Sequence, residues 1–184
     1  MLEKLGVQLV KLDLPFRLNH VNCFLAEGED GWVVIDAGLH NEATIKRWEQ
    51  ALAGKTVTDL YVSHYHPDHF GYIGGLQQKM GVESGIIPRV SMSKVDAEAG
   101  LSAWSDRFVE TFPTHYKASG IPDDIAAKML DNTVGFIDAV TPYPDVNHYF
   151  QEGEMVPIGS LEYEVIFTPG HSDGLVNFFN EEQG

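Results

Sequence analysis

The sequence predicts an α+β protein: a sheet with helices packed on its face and a separate block of helices set into it. Three observations carry this. Short apolar runs alternate with amphipathic stretches as far as Met80, the rhythm of strand, helix, strand, helix. From about Lys94 to Asp138 the apolar spacing turns helical. Beyond Pro142 and Pro144 short strands return.

Along the chain, Val7 to Leu14, Leu18 to Glu27 and Trp32 to Asp36 read as three short strands. The turn-forming run Gly28-Glu29-Asp30-Gly31 joins the last two as a hairpin. Asn41 can cap a helix whose inner face is Ile45, Trp48 and Leu52, with Gly54 after its end. Thr58 to Ser63 reads as a buried strand, and a helix follows from about Phe70 to Met80. In the middle block Trp104 and Phe108 sit four apart. There Ile125, Met129 and Ile137 recur on one face of a helix opened by Pro122 and two acidic residues. The aromatics Trp104, Phe108, Phe112 and Tyr116 read as a core stripe, with the lining of a substrate pocket as the alternative. Leu161 to Phe167 is a last strand, alternating apolar and polar at its start, and it runs into Thr168-Pro169-Gly170-His171-Ser172.

Composition sets limits. At 184 residues and 43% hydrophobic content the chain can build one ordinary domain with a sizeable core. No run approaches the apolar length of a membrane span and the first six residues are no signal peptide, so a cytoplasmic protein with no membrane partner is expected. With 12 Lys and Arg against 27 Asp and Glu, the net charge of −15 repels nucleic-acid phosphates. A small-molecule substrate is the expected partner. The one cysteine, Cys23, excludes an internal disulfide, and its apolar run Val21 to Leu25 predicts a buried, inert thiol.

The chemistry concentrates in Ser63-His64-Tyr65-His66-Pro67-Asp68-His69. If a buried strand ends at Ser63, His64 and His66 leave its carboxyl end two residues apart, point to one side and can share an ion. Asp68 and His69 follow a proline that fixes the backbone, and they project from the turn near enough to hold a second ion or a water. Pro169-Gly170 makes a sharp turn that places His171 at a strand end in the same way. Three protein ligands and an open position for water are what a catalytic zinc requires. Imidazole and carboxylate serve iron and manganese as well. His20, His40, His115 and His148 have no ligand spacing among themselves and read as surface or hydrogen-bonded residues.

Asp36-Ala37-Gly38 after a strand, the run from Ser63 to His69, Gly74-Gly75 in the following helix and Thr168-Pro169-Gly170-His171 together resemble successive motifs of the metallo-β-lactamase-fold hydrolases, especially the glyoxalase II-like branch. The resemblance spans nearly the whole chain. It implies a single domain over 1–184, an αβ/βα sandwich of two mixed sheets between helices, with a helical insertion at about 94–138. By the same resemblance His64, His66 and His171 hold a first metal, Asp68 and His69 help to hold a second, and Asp36 supports the site from behind. Read from the residues alone, Asp36 is a polar residue at a strand end that caps a turn equally well. The implied reaction is hydrolysis of a thioester, lactone, amide or phosphodiester by water activated at one or two zinc ions, or at iron or manganese. Asp68 would be the catalytic residue that orients that water or takes its proton.

The sequence departs from the pattern at its carboxyl end. The family's bridging aspartate and a further histidine are not in place before Gly184, and Asp173 follows His171 too soon to be the bridge. The sandwich is therefore expected to be incomplete at the C-terminus, with an apolar face left uncovered. A compensating homodimer, a partly open fold and a chain whose remainder has been removed all satisfy that. One well-held ion at most and impaired turnover are expected. Two readings from other classes stand beside the hydrolase: a mononuclear iron oxidoreductase like the persulfide dioxygenases of this fold, and a non-catalytic metal-binding fragment. Flavin-linked di-iron relatives typically carry glutamate where this chain has His66.

Overall fold

The computed structural model describes residues 2–183, with the backbone alone at Glu3, Asp106, Arg107, Phe108 and Asn132. A short 3-10 turn leads into β1 (Val7–Asp13), which pairs antiparallel with β2 (His20–Glu27). β2 returns through the expected hairpin to β3 (Trp32–Ile35). From there the chain alternates: α1 (Glu42–Leu52), β4 (Val57–Tyr61), α2 (Pro67–Phe70), α3 (Ile73–Ser84) and β5 (Arg89–Met92). Three helices, α4 (Lys94–Ala103), α5 (Asp106–Ala118) and α6 (Asp123–Asp138), then fill the interval before β6 (Val146–Tyr149). These strands form one sheet in chain order β1 to β6, and β3, β4, β5 and β6 run parallel. A second, antiparallel sheet has the order β7 (Met155–Ile158), β8 (Leu161–Phe167), β9 (Val176–Phe179).

The central strands of the large sheet are buried on both faces. On one side Leu25, Leu60 and Val90 meet Trp48, Phe70 and Leu76 from the helices. On the other, Val33 and Tyr61 meet Val156, Val165 and Val176 of the small sheet, and Tyr61 sets its ring edge-on to Phe150 at 5.4 Å. Helix α1 follows its sequence closely. The Asn41 side chain accepts from Thr44 N at 2.9 Å, and Trp48 is fully buried with its indole donating to Ala37 O at 2.9 Å. Cys23 is completely enclosed; burial first, then the charges of Asp36 and Asp68, pushes its thiol well above the ordinary range. Iodoacetamide at about pH 8 is expected to leave Cys23 unmodified in the native chain and to label it fully in denaturant. Native labelling at the denatured rate would refute this enclosure.

The structure corrects the sequence reading in four places. The helix expected from Phe70 is two: α2 closes with Gly71 N donating to Pro67 O, and α3 starts afresh at Ile73. Strand β5 was not read because a parallel strand buried on both faces has no alternation to find, and β9 is only four residues long. The aromatic stripe is divided: Tyr116 is buried and stacks on Phe112 at 5.1 Å, whereas Trp104 is half-buried and packs elsewhere. Phe108 has its side chain outside the described residues. The outer face of the small sheet is uncovered among the described residues, but it is mixed, not apolar. Met155 and Phe179 are exposed there with Glu164 paired between them.

Gly74 allows α3 to approach the β6 side of the molecule. A Cβ on it would lie 1.9 Å from Pro142 O and 2.6 Å from Tyr143 C, both backbone atoms that cannot swing aside. Gly74→Ala is expected to cost about 3 kcal/mol, the upper end for overpacking, and to lower the melting temperature by about 6–12 °C. An unchanged melting curve would show that this contact is loose.

Candidate metal centre

The residues singled out from sequence leave the carboxyl ends of neighbouring strands, where an open sheet presents its ligand-binding edge. Asp36 follows β3, the run from Ser63 to His69 follows β4, and α4 begins two residues after β5. His171 arrives from the second sheet, in the tight loop after β8 closed by Thr168 N to Leu175 O at 2.9 Å. Val176 N donates to Ser63 O at 3.0 Å, so β9 ties this loop to the histidine run.

One ring nitrogen from each of His64, His66 and His171 falls within 4.8 Å of the others. His66 Nδ1 and His171 Nε2 are 2.9 Å apart with the rings edge to face. Two imidazole nitrogens on one zinc sit about 3.4 Å apart, from bonds of about 2.1 Å at a tetrahedral angle, so the three need only small shifts. Asp68 and His69 stand beside this trio, outside the group of converging donors: Asp68 Oδ2 is 3.6 Å from His69 Nε2, and the His69 ring lies 4.1 Å from that of His64.

The chain fits a cation in its protonation as well as its shape. Ser63 has one hydroxyl proton and gives it to Asp36 Oδ2 at 2.7 Å, so toward His64 Nδ1, 2.9 Å away, it accepts. His64 therefore carries its proton on Nδ1 and turns a lone pair outward on Nε2, a buried atom with no hydrogen-bond partner. Burial first, then the charge of His69, pushes the His64 pKa down to about 3, so the ring is neutral at physiological pH. Burial and the neighbouring His171 lower His66 in the same direction. A buried neutral imidazole with an orphaned lone pair aimed at two others is a metal-ligand arrangement.

Asp36 sits behind the trio. Its Oδ1 accepts from Ser63 N at 2.8 Å, and its Oδ2 accepts from the Ser63 hydroxyl and from His69 Nδ1 at 2.8 Å. Burial alone would raise this carboxyl, but the bond and charge of His69 and both bonds from Ser63 outweigh it and hold the pKa below the usual value. Correspondingly, burial would lower His69, but Asp36 and Asp68 raise it above the ordinary imidazole value. Asp36 adopts φ 58, the sole positive φ outside glycine among the described residues.

Asp96, which the sequence reading passed over, is completely buried at the first turn of α4. Its Oδ2 accepts from Ser172 Oγ at 2.7 Å and from Tyr65 N at 3.2 Å, and its Oδ1 accepts from Gly174 N at 2.7 Å. One carboxylate thus clamps the loop of His64 and His66 to the loop of His171.

The Metallo-beta-lactamase superfamily profile matches residues 17–183. The chain belongs to the metallo-beta-lactamase superfamily. Superfamily members with solved structures share its architecture. A beta-lactamase domain protein from Burkholderia ambifaria superposes with a TM-score of 0.80 at 28% identity, over 97% of this chain and 52% of that one. A metallo-beta-lactamase family protein from Thermus thermophilus gives 0.74 at 26% identity, over 96% and 56%. Among curated relatives, the hydroxyacylglutathione hydrolase GloC of Haemophilus influenzae is 27% identical over 172 residues, which is 92% of this chain and 66% of that protein. The chain thus spans just under two thirds of that relative and about half of each solved structure. Superfamily members are generally metal-dependent hydrolases, and among the described residues no helix is long and apolar enough to cross a membrane.

Proposed function

We propose that the chain carries the metal site of a hydrolase that cleaves a thioester, lactone, amide or phosphodiester of a small molecule. The observation that supports this most is the buried, unpartnered Nε2 of His64 aimed at His66 and His171. A divalent ion held by the three nitrogens would acidify a water and polarise the scissile carbonyl or phosphoryl group. Asp68, partly exposed beside the trio, would orient that water and accept its proton. His69, fixed through Nδ1 by Asp36, keeps Nε2 toward Asp68. Asp36 and Asp96 hold the ligand-bearing loops and touch no substrate. The net charge of −15 favours a small substrate over nucleic acid.

The test is elemental analysis of the chain after equilibration with zinc, iron or manganese, joined to a hydrolysis screen over the four substrate classes. One firmly held ion per chain and slow hydrolysis of one class are expected. Two tightly held ions would contradict the secondary place given to Asp68 and His69. Preferential iron loading with oxygen consumption would replace the hydrolase by an oxidoreductase, and no stoichiometric ion would leave a non-catalytic fragment.

A further inference from the structure

A row of aromatic rings begins at the metal trio and leaves it sideways. The Tyr65 ring lies 5.0 Å from that of His66, Trp104 lies 6.2 Å from Tyr65, Phe136 lies 6.0 Å from Trp104, and Phe16 lies 5.7 Å from Phe136. The four side chains come from four segments: the histidine loop, the end of α4, helix α6 and the turn between β1 and β2. Trp104 is locked in place. The Trp104 indole donates to Tyr65 O at 3.1 Å, and the Tyr143 hydroxyl donates to Trp104 O.

These rings do not close over one another as core rings do. Trp48, Tyr61 and Phe70 have at most 1% of their surface exposed, whereas Phe16 keeps 44% and Tyr65, Trp104 and Phe136 are half-buried. Met129, 39% exposed, lies on the same face of α6 as Phe136, two turns earlier. Leu18, 61% exposed, stands two residues from Phe16. Scattered exposed apolar side chains need no explanation, but a continuous row that abuts a candidate ligand does.

We infer that this row is the binding wall for the non-reacting part of the substrate, and that this part is an uncharged alkyl or aryl group. The inference rests on the hydrolase reading above and adds the substrate's chemical class to it. Asp96 stands behind the first ring, its Oδ2 accepting from Tyr65 N at 3.2 Å, so a carboxylate lies at the metal end of the row and would repel an anionic group there. Apolar lining with polar groups at one end is the ordinary make-up of a small-molecule site.

The test is titration of the neutral fluorophore N-phenyl-1-naphthylamine onto the full chain, with and without zinc. One saturable site is expected, weakened at least tenfold by Phe16→Ala and by Phe136→Ala and unchanged by Val82→Ala, an exposed residue of α3 outside the row. Phe16 stands in a surface turn, so its variant folds even if that of Phe136 does not. Saturable binding that ignores both phenylalanines, or no saturable binding, would overturn the inference. Sedimentation in which Phe16→Ala turns a dimer into a monomer would overturn it too, by assigning the row to a second copy. Because the fluorophore needs no ion, loss of zinc binding alone would sink the hydrolase reading and leave the wall intact.

Discussion

His171→Ala is expected to abolish tight zinc binding at the proposed site and leave the fold in place. The side chain is exposed in a loop whose backbone is held by Thr168 N to Leu175 O and by Gly170 N to Ser172 O, neither of which uses the imidazole. Removing it deletes a third of the converging nitrogens. Structural zinc sites of four ligands are worth about 10–16 kcal/mol, so one ligand carries about 3 kcal/mol, a factor of more than a hundred in affinity. Competition for zinc against a chromophoric chelator reads the affinity, and thermal melting of the metal-free chain reads the fold. A melting temperature within a degree or two of the parent, with affinity at least about a hundredfold weaker, is expected. Unchanged affinity would remove His171 from the centre. The variant is cleaner than His64→Ala, whose buried ring also bonds Ser63.

Asp96→Ala should damage both properties together. Three donors lose their acceptor, Ser172 Oγ and Gly174 N in a buried place and Tyr65 N in a partly buried one. Each stranded donor costs about 1–3 kcal/mol, so a loss of about 3 kcal/mol or more and a melting temperature lower by about 6–12 °C are expected. With the clamp gone the two ligand loops drift apart, and zinc affinity falls by about 10–100-fold, as for other groups that orient ligands from behind. Asp96→Asn separates the effects. Its amide keeps one oxygen for Gly174 N, and the Ser172 hydroxyl can turn to accept from the new NH2, so two of the three bonds return while Tyr65 N faces a donor and loses its acceptor. If Asp96→Ala melts early yet binds zinc at parental affinity, the carboxylate serves packing alone.

The sequence made the histidines legible and their supports much less so. His64, His66 and His171 stand at strand ends in the motifs singled out from sequence, and their ring nitrogens converge within 4.8 Å. The supports depend on contacts between distant segments. Asp96 lies three residues after Ser93, the pattern of an ordinary helix start, and Ser93 Oγ does accept from Asp96 N at 3.1 Å. Nothing local says that the carboxylate turns away to bond residues 76 and 78 positions further on. Asp36 was ambiguous for the same reason, since its partner Ser63 is 27 positions away. Among the elements, amphipathic α1 and the β1 to β3 meander showed their periods, while β5, enclosed on both faces, offered none.

The left-handed backbone at Asp36 bears on any effort to make this protein hardier. Such a conformation costs an ordinary residue about 1–2 kcal/mol, so a thermostabilisation campaign would rank position 36 as a target for glycine. That exchange would relax the main chain but strand Ser63 N, the Ser63 hydroxyl and His69 Nδ1, at about 1–3 kcal/mol each, so the chain would melt earlier, not later. Selection for robustness would therefore keep the aspartate, because the strain in its backbone is the smaller of the two costs.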